Sequence, residues 1–600
     1  MASIEKPETV KSCSEELPDH TVENNELNYM FPSSEVGIPL TKLQWALTFV
    51  GLSLSLFLAA VDTTIVSTAI PKIGSDFHAL EKGSWIVTAY ILSFDSLQPM
   101  YGKLSDIFGR KNVLLPAVFI FLLGSVLCGV STNMVMIIVM RAIQGVGGAG
   151  IFSVVFITVA DMIPLRARGQ YSALISTVFA VASVCGPLIG VCQYGYGSTQ
   201  LLETNNAFMI ITSAFTDQVS WKWAFFINLP VGGVGTILLI FFMKEKRKRA
   251  PVRALLKRVD YLGTVSILAF ATLTLVALNL GGVQYAWNSA PVLVCLILGI
   301  SFLGVLVVVE WKFAKEPMMP IYLFKKRTVT CISIANLFFG AAIAILIIEM
   351  PLFLQAARGD SATMSGVRII VGQASICIVS TVSGYLMGRF NSYKYFLIVG
   401  SALATLGFGL CALFNDTSPF GYLYGFIIIA GAGSGMIYAC SSVAAQSACE
   451  KKDLAVVTVL VTFFMNLGTA VGVAVASAVL NNGLQSCLLQ SVSPDLVTAI
   501  LQSTTFIRSG ALTPEQVDIT IKCYNSSFKS IWLTALAFSS IAFISTLFIQ
   551  EHSLLGQQTS EDNDVKEHNI VEDIEKQKTD HQEIEHIEVE DDKTTIEKVA

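Results

Sequence analysis

The chain has 600 residues, of which 53% are hydrophobic and only 14% charged, with a mean hydropathy of +0.64. That balance excludes an ordinary soluble globular protein, in which charged residues make up about 25%. The net charge of −5 comes largely from the C-terminal tail, and no nucleic-acid partner is expected.

Taken in order, residues 1–43 form a polar, acidic N-terminal tail. They lack the basic stretch followed by an apolar run that marks a cleavable signal peptide, so the first span is expected to serve as an uncleaved targeting signal. Apolar runs long enough to cross a bilayer as helices follow near 44–70, 84–106, 113–131, 134–160, 171–191, 223–243, 261–281, 290–312, 329–354, 364–388, 394–414, 420–446, 455–480 and 529–549. Backbone polar groups in lipid must be satisfied within each span, so the fold class is an all-α polytopic membrane protein of about 14 transmembrane helices. Basic clusters at Arg110-Lys111, Arg166 and Arg168, 244–249, 325–327, Arg389 and Lys394, and Lys451-Lys452 all fall on one side of this arrangement. The positive-inside rule makes that side cytoplasmic, with both termini on it. The segment 550–600 is rich in Glu, Asp and Lys and cannot bury a core, so it reads as an acidic disordered tail.

The loop Gly102-Lys103-Leu104-Ser105-Asp106-Ile107-Phe108-Gly109-Arg110-Lys111 joins the second and third spans. It resembles the signature G-x-L-x-D-x-x-G-R-[RK] of the major facilitator superfamily, in which it acts as a cytoplasmic gate. Gly384-Tyr385-Leu386-Met387-Gly388-Arg389-Phe390 reads as a worn copy in which the acid has become Gly388. The copy divides the chain into an N-terminal six-helix bundle (44–243), a cytoplasmic loop with a linker helix pair (244–328), and a C-terminal six-helix bundle (329–549). Repeated halves with a site at their interface are a common transporter plan.

Charge inside a span is costly and marks function. Asp62 lies about two turns before the outer end of the first span, and Arg141 about two turns after the outer start of the fourth, so they stand at similar depth. The surrounding residues resemble the L-D-x-T-I-V-x-x-A-[LI]-P and R-x-x-Q-G-x-G-[GA] patterns of drug:proton antiporters. The resemblance implies proton coupling by Asp62 and Arg141. Gly186, Pro187 and Gly190 match the antiporter motif G-P-x-x-G-G except that Val191 replaces its last glycine. Relative to the family's pattern, residues from about 191 to 212 stand as an insertion after it, either a genuine outer loop or the product of a retained intron or faulty gene model. Asp95, Glu349, Gln144 and Asn466 are candidates for the substrate cavity.

Two sequons, at Asn415 and Asn525, fall on the predicted outer face, where Cys487 and Cys523 share the polar segment 481–528 and are candidates for a disulfide. The remaining cysteines show no metal-ligand spacing, and no metal site is expected. The resemblance as a whole implies a fourteen-span (6+2+6) member of the drug:proton antiporter family, of fungal multidrug or toxin efflux type. Such a protein exports small organic molecules by alternating access, powered by the proton gradient without a cofactor. It is expected to be a monomer in the plasma membrane. Two other readings stay open: a vacuolar transporter of basic amino acids or siderophores, and a nutrient-sensing receptor on the same fold. No nucleophile–base, phosphate-loop or metal constellation points to an enzyme.

Overall fold

The computed structural model describes residues 41–554, except 80–81, 183–220, 245–258, 282–284, 314–316, 361 and isolated positions within 164–180, 491–511 and at 553. The first half consists of α1 (Lys42–Asp76), α2 (Ser84–Phe108), α3 (Arg110–Gly129), α4 (Met134–Met162), α5 (helical at its described positions between 165 and 182) and α6 (Trp223–Phe242). The linker pair is α7 (Tyr261–Leu280) and α8 (Ala290–Lys312). The second half is α9 (Arg327–Ala356), α10 (Ala362–Phe390), α11 (Lys394–Cys411), α12 (Phe420–Ser447), α13 (Leu454–Leu488) and α14 (Pro514–Leu547). Twelve helices among the described residues are long and apolar enough to cross a membrane. The less apolar α2 and the partly described α5 take the two other places, so the chain is an all-α multi-pass membrane protein. No strand occurs among the described residues.

Local chemistry fixes the helix ends. The Asn133 side chain caps α4 by accepting from the Met136 N–H at 2.8 Å, and Asp260 caps α7 through the Gly263 N–H at 2.8 Å. Each satisfies a donor that the first turn leaves free. Gly109 separates α2 from α3 at φ 98° and ψ 153°, a backbone region open essentially to glycine alone.

The segment 481–528 is largely helical rather than the polar loop expected. α13 continues to Leu488, and α14 begins at Pro514 instead of near 529. Thr513 and Gln516 form a reciprocal capping box there, with Pro514 in the first turn. These turns carry polar residues because they extend past the apolar span, and polarity alone had suggested a loop. Cys487 and Cys523 therefore lie on two helices, joined by a disulfide with their Cα atoms 5.7 Å apart.

Each half has its own core. Leu52, Tyr90, Phe121 and Ile151 belong to one cluster, and Phe353, Phe408, Phe528 and Trp532 to another. α7 lies against α2, where the Thr272 hydroxyl meets that of Ser96 at 3.0 Å. α8 keeps an exposed apolar face that includes Ile297 and Trp311, as expected of a helix turned to lipid.

The halves meet at the end that carries the basic loops. A Cβ on Gly102 of α2 would stand 3.2 Å from the Val459 side chain of α13, and Ile157 of α4 packs with Ala455 and Val459. Gly169 of α5 and Gly384 of α10 touch backbone to backbone, and the Arg168 guanidinium donates to Gln446 Oε1 at 3.4 Å beside them. The motif residues Gly186, Pro187 and Gly190, the insertion 191–212, most of the N-terminal tail, the basic loop 245–258 and residues 555–600 lie outside the described residues.

Candidate functional site

Asp62 and Arg141 are both fully buried, and Arg141 Nη1 donates to Asp62 Oδ2 at 2.5 Å. The glycine-rich stretch after Arg141 seats α4 closely against α2 and α3. A Cβ on Gly145 would overlap the Tyr90 carbonyl of α2 at 2.4 Å, and one on Gly147 would meet Phe121 N of α3 at 2.4 Å. Only a helix face without side chains fits between α2 and α3 at this depth.

The ion pair is embedded in a wider polar network. Asp62 Oδ1 accepts from Gln144 Nε2 at 2.8 Å and from Asn228 Nδ2 at 2.9 Å. The Ser125 hydroxyl oxygen accepts from the same two amides, at 2.8 and 2.7 Å. Arg141 also donates to Gln144 Oε1 at 2.8 Å and to the Ile86 carbonyl at 3.1 Å, and its guanidinium lies 4.3 Å from the Tyr90 ring centroid. Four helices thus share one network: α1 supplies the carboxylate, α4 supplies Arg141 and Gln144 and α6 supplies Asn228 to bond it, and α3 supplies Ser125, which holds the two amides.

The arrangement has a chemical consequence. The Asp62 carboxylate balances the buried Arg141 charge and accepts from two amides. Protonating Asp62 would cancel its charge and leave Arg141 as an uncompensated buried cation, a penalty of several kcal/mol. The pair joins α1 to α4, and Asn228 joins α6 to them.

Gln144, expected in the substrate cavity, is instead fully buried within this network. Asn228 and Ser125 were not singled out. Asn228 sits in Phe226-Ile227-Asn228-Leu229-Pro230, and its signal was a lone amide among apolar residues at a helix start. Asp95 of α2 and Asn466 of α13 lie near each other across the seam between the halves. Glu349 is buried within the second half, with Oε2 unpartnered.

In the gate loop, Arg110 bonds Asp106 at 2.7 Å, Asp161 at the end of α4 at 2.7 Å and Ser105 Oγ at 2.7 Å. Lys111 donates to the carbonyls of Ile240 and Met243, both at 2.7 Å, where α6 leaves its last carbonyls free. These bonds tie the ends of α2, α3, α4 and α6 into one rigid edge, and Gly102 of that edge meets α13.

The two sequons touch. Asn525 donates from Nδ2 to Asp416 Oδ1 at 2.8 Å and accepts the Asp416 N–H at 3.3 Å, within helix α14. Asn415 stands exposed at the turn between α11 and α12, so it is the more accessible of the two.

The Major Facilitator Superfamily profile matches residues 52–473. The chain is 31% identical to the efflux pump dotC of Dothistroma septosporum over 513 residues, covering 85% of this chain and 84% of that protein. It is 31% identical to the efflux pump LUC4 of a Fusarium species, covering 88% and 92%, and 30% identical to the efflux pump aflT of Aspergillus parasiticus, covering 87% and 98%. Among solved structures, an inward-facing bacterial homologue of the human lysosomal transporter Spinster superposes with a TM-score of 0.52 at 15% identity, covering 85% of this chain and 98% of that one, which bears on the fold alone. The match over most of the chain places it in the major facilitator superfamily, and its relatives are fungal efflux pumps.

Proposed function

We propose that the protein exports small organic molecules by alternating access and that inward proton flow drives the cycle. The observation that carries this reading is the buried Asp62–Arg141 pair and its network. Protonation of Asp62 releases Arg141, Gln144 and Asn228 together, so one proton changes the packing of four helices. The edge built by Arg110, Asp106 and Asp161 then holds or frees the contact of α2 and α4 with α13. When the cytoplasmic end is closed, as the Gly169–Gly384 and Arg168–Gln446 contacts have it, cargo leaves outward. Asp95 and Asn466 meet across the seam, where a cargo molecule would touch both halves. The exporter works as a monomer, with both termini in the cytoplasm. The plasma membrane suits an efflux pump, as the relatives' names suggest, and the vacuolar membrane is the rival.

The test is efflux of a panel of organic compounds from vesicles carrying the purified protein under an imposed pH difference. Wild type should move at least one compound, and Asp62→Asn none. Equal transport by both would remove Asp62 from the mechanism.

A further inference from the structure

The second half holds an acid that the mechanism above does not use. Glu349 lies inside α9, is 3% exposed, and its Oε2 has no hydrogen-bond partner. Its surroundings follow from helix register. α9 and α14 run antiparallel, since Phe353 packs on Phe528 at 5.1 Å and Phe338 on Phe538 at 6.0 Å. One helical turn from the first contact, that register brings the Glu349 position of α9 level with the Trp532 position of α14, and no hydrogen bond joins the two side chains. Trp532 stacks on Phe528 at 6.3 Å, is fully buried, and its indole Nε1 also has no partner. An indole N–H can only donate, and a carboxyl oxygen can accept it.

On α14, Lys522 pairs with Asp518 at the surface and Lys529 is exposed. Arg368 of α10 is paired with Asp360 and bonded to Tyr424 of α12. Tyr438 of α12 packs on Phe339, Tyr524 of α14 stacks on Phe528 one turn outward, and Cys411 of α11 is buried in the same core. α13 carries no charged residue between Leu454 and Leu488. None of these groups makes a hydrogen bond or ion pair with Glu349. A charged carboxylate in such a setting is far costlier than a neutral one.

We propose that Glu349, with the Trp532 N–H beside it, is a second proton-binding site, located in the C-terminal half. The carboxyl keeps its proton while α9 and α14 are closed around it. When water reaches it, the O–H bond breaks, the proton passes to that water, and the carboxylate that remains accepts the Trp532 N–H. The binding of this proton does not depend on the export reading; only its use in transport does.

The test uses the full chain in lipid vesicles, without any cargo. A hydrophobic carbodiimide reacts with protonated carboxyls at membrane depth, and peptide mass spectrometry reads the adduct at Glu349. The proposal expects labelling of Glu349 that falls as pH rises. It also expects a tryptophan fluorescence change over the same pH interval, isolated by subtracting the Trp532→Phe spectrum and lost in Glu349→Gln. Absent labelling, or labelling indifferent to pH, would overturn it. So would protection of Glu349 at constant pH by organic cations of the transport panel, which would make it a cargo contact. If Glu349→Gln fails to fold, the wild-type labelling profile decides alone. Because no transport is measured, failure here leaves the export reading intact, and failure of export leaves the labelling result standing.

Discussion

The loop from Gly102 to Lys111 and the loop from Gly384 to Tyr393 occupy equivalent places in the two halves, and they share geometry but not charge. Gly109 and Asn391, at matching positions, both turn the chain with positive φ, 98° and 53°. Lys111 reaches the last carbonyls of α6, and Tyr393 in its place donates to the Gln550 carbonyl just past α14 at 2.8 Å. In each half the loop is thus pinned to the end of the sixth helix. The ion pair is confined to the first loop: Gly388 and Ser392 stand where Asp106 and Arg110 do. The second loop shows that the turn and its anchor form without charge. Such a turn therefore does not require the Asp106–Arg110–Asp161 cluster, which in the proposed cycle serves the change of state. The same asymmetry runs deeper in the membrane, where the first half concentrates paired polar groups around Asp62 and the second half is an apolar core around Phe353 and Phe528.

Substitutions that separate charge from geometry sharpen this contrast. The largest effect is expected from Arg110→Ala against its counterpart Ser392→Ala. The first should lower transport by roughly 5–150-fold, the span of a coupling worth ~1–3 kcal/mol. The second should leave vesicle transport unchanged, and equal losses would mean that the cluster has no special role. Next is the seam. A Cβ on Gly384 would lie 2.3 Å from the Gly169 carbonyl oxygen, which belongs to rigid backbone, whereas one on Gly169 first meets the flexible tip of Met387 at 2.2 Å. Gly384→Ala should therefore impair closure of the cytoplasmic end more than Gly169→Ala, read as greater cysteine-probe access from that side.

Gly109→Ala should cost about 1–3 kcal/mol of stability because its backbone region excludes side chains. Asn391→Gly should be close to neutral, since asparagine already tolerates a left-handed conformation that glycine adopts freely. Thermal unfolding in detergent compares them. The smallest effect is expected from Tyr393→Phe, which removes one hydroxyl hydrogen bond, worth about 0.5–1.5 kcal/mol. A loss as large as that of Gly109→Ala would show that the second loop depends on its anchor more than on its turn.

Much of this was legible in the residues. Apolar runs and one-sided basic loops located the spans, because lipid imposes length and leaves few alternatives. Counting turns from the span ends was enough to bring Asp62 and Arg141 to one depth. The partners that complete the site were harder to read. Arg141 and Gln144, three residues apart, share a helix face, but spacing cannot say whether that face meets a cavity or the interior of the first bundle. Asn228 reaches Asp62, and Ser125 reaches Asn228, from helices distant in sequence, and Asp161 reaches Arg110 across 51 residues. Pairings of that kind are set by how helices pack. The helical turns around Cys487 and Cys523 were missed because helices that outrun the bilayer become polar, and polarity resembles a loop.

The central claim is that one buried proton on Asp62 selects which side the cavity faces. Its most direct test is transport by the reconstituted protein with the pH difference imposed and then collapsed at zero voltage, for wild type and Asp62→Asn. The account predicts that wild-type concentrative transport stops when the pH difference is removed and that Asp62→Asn never shows it. Undiminished uphill transport after the collapse, or in the variant, would contradict it.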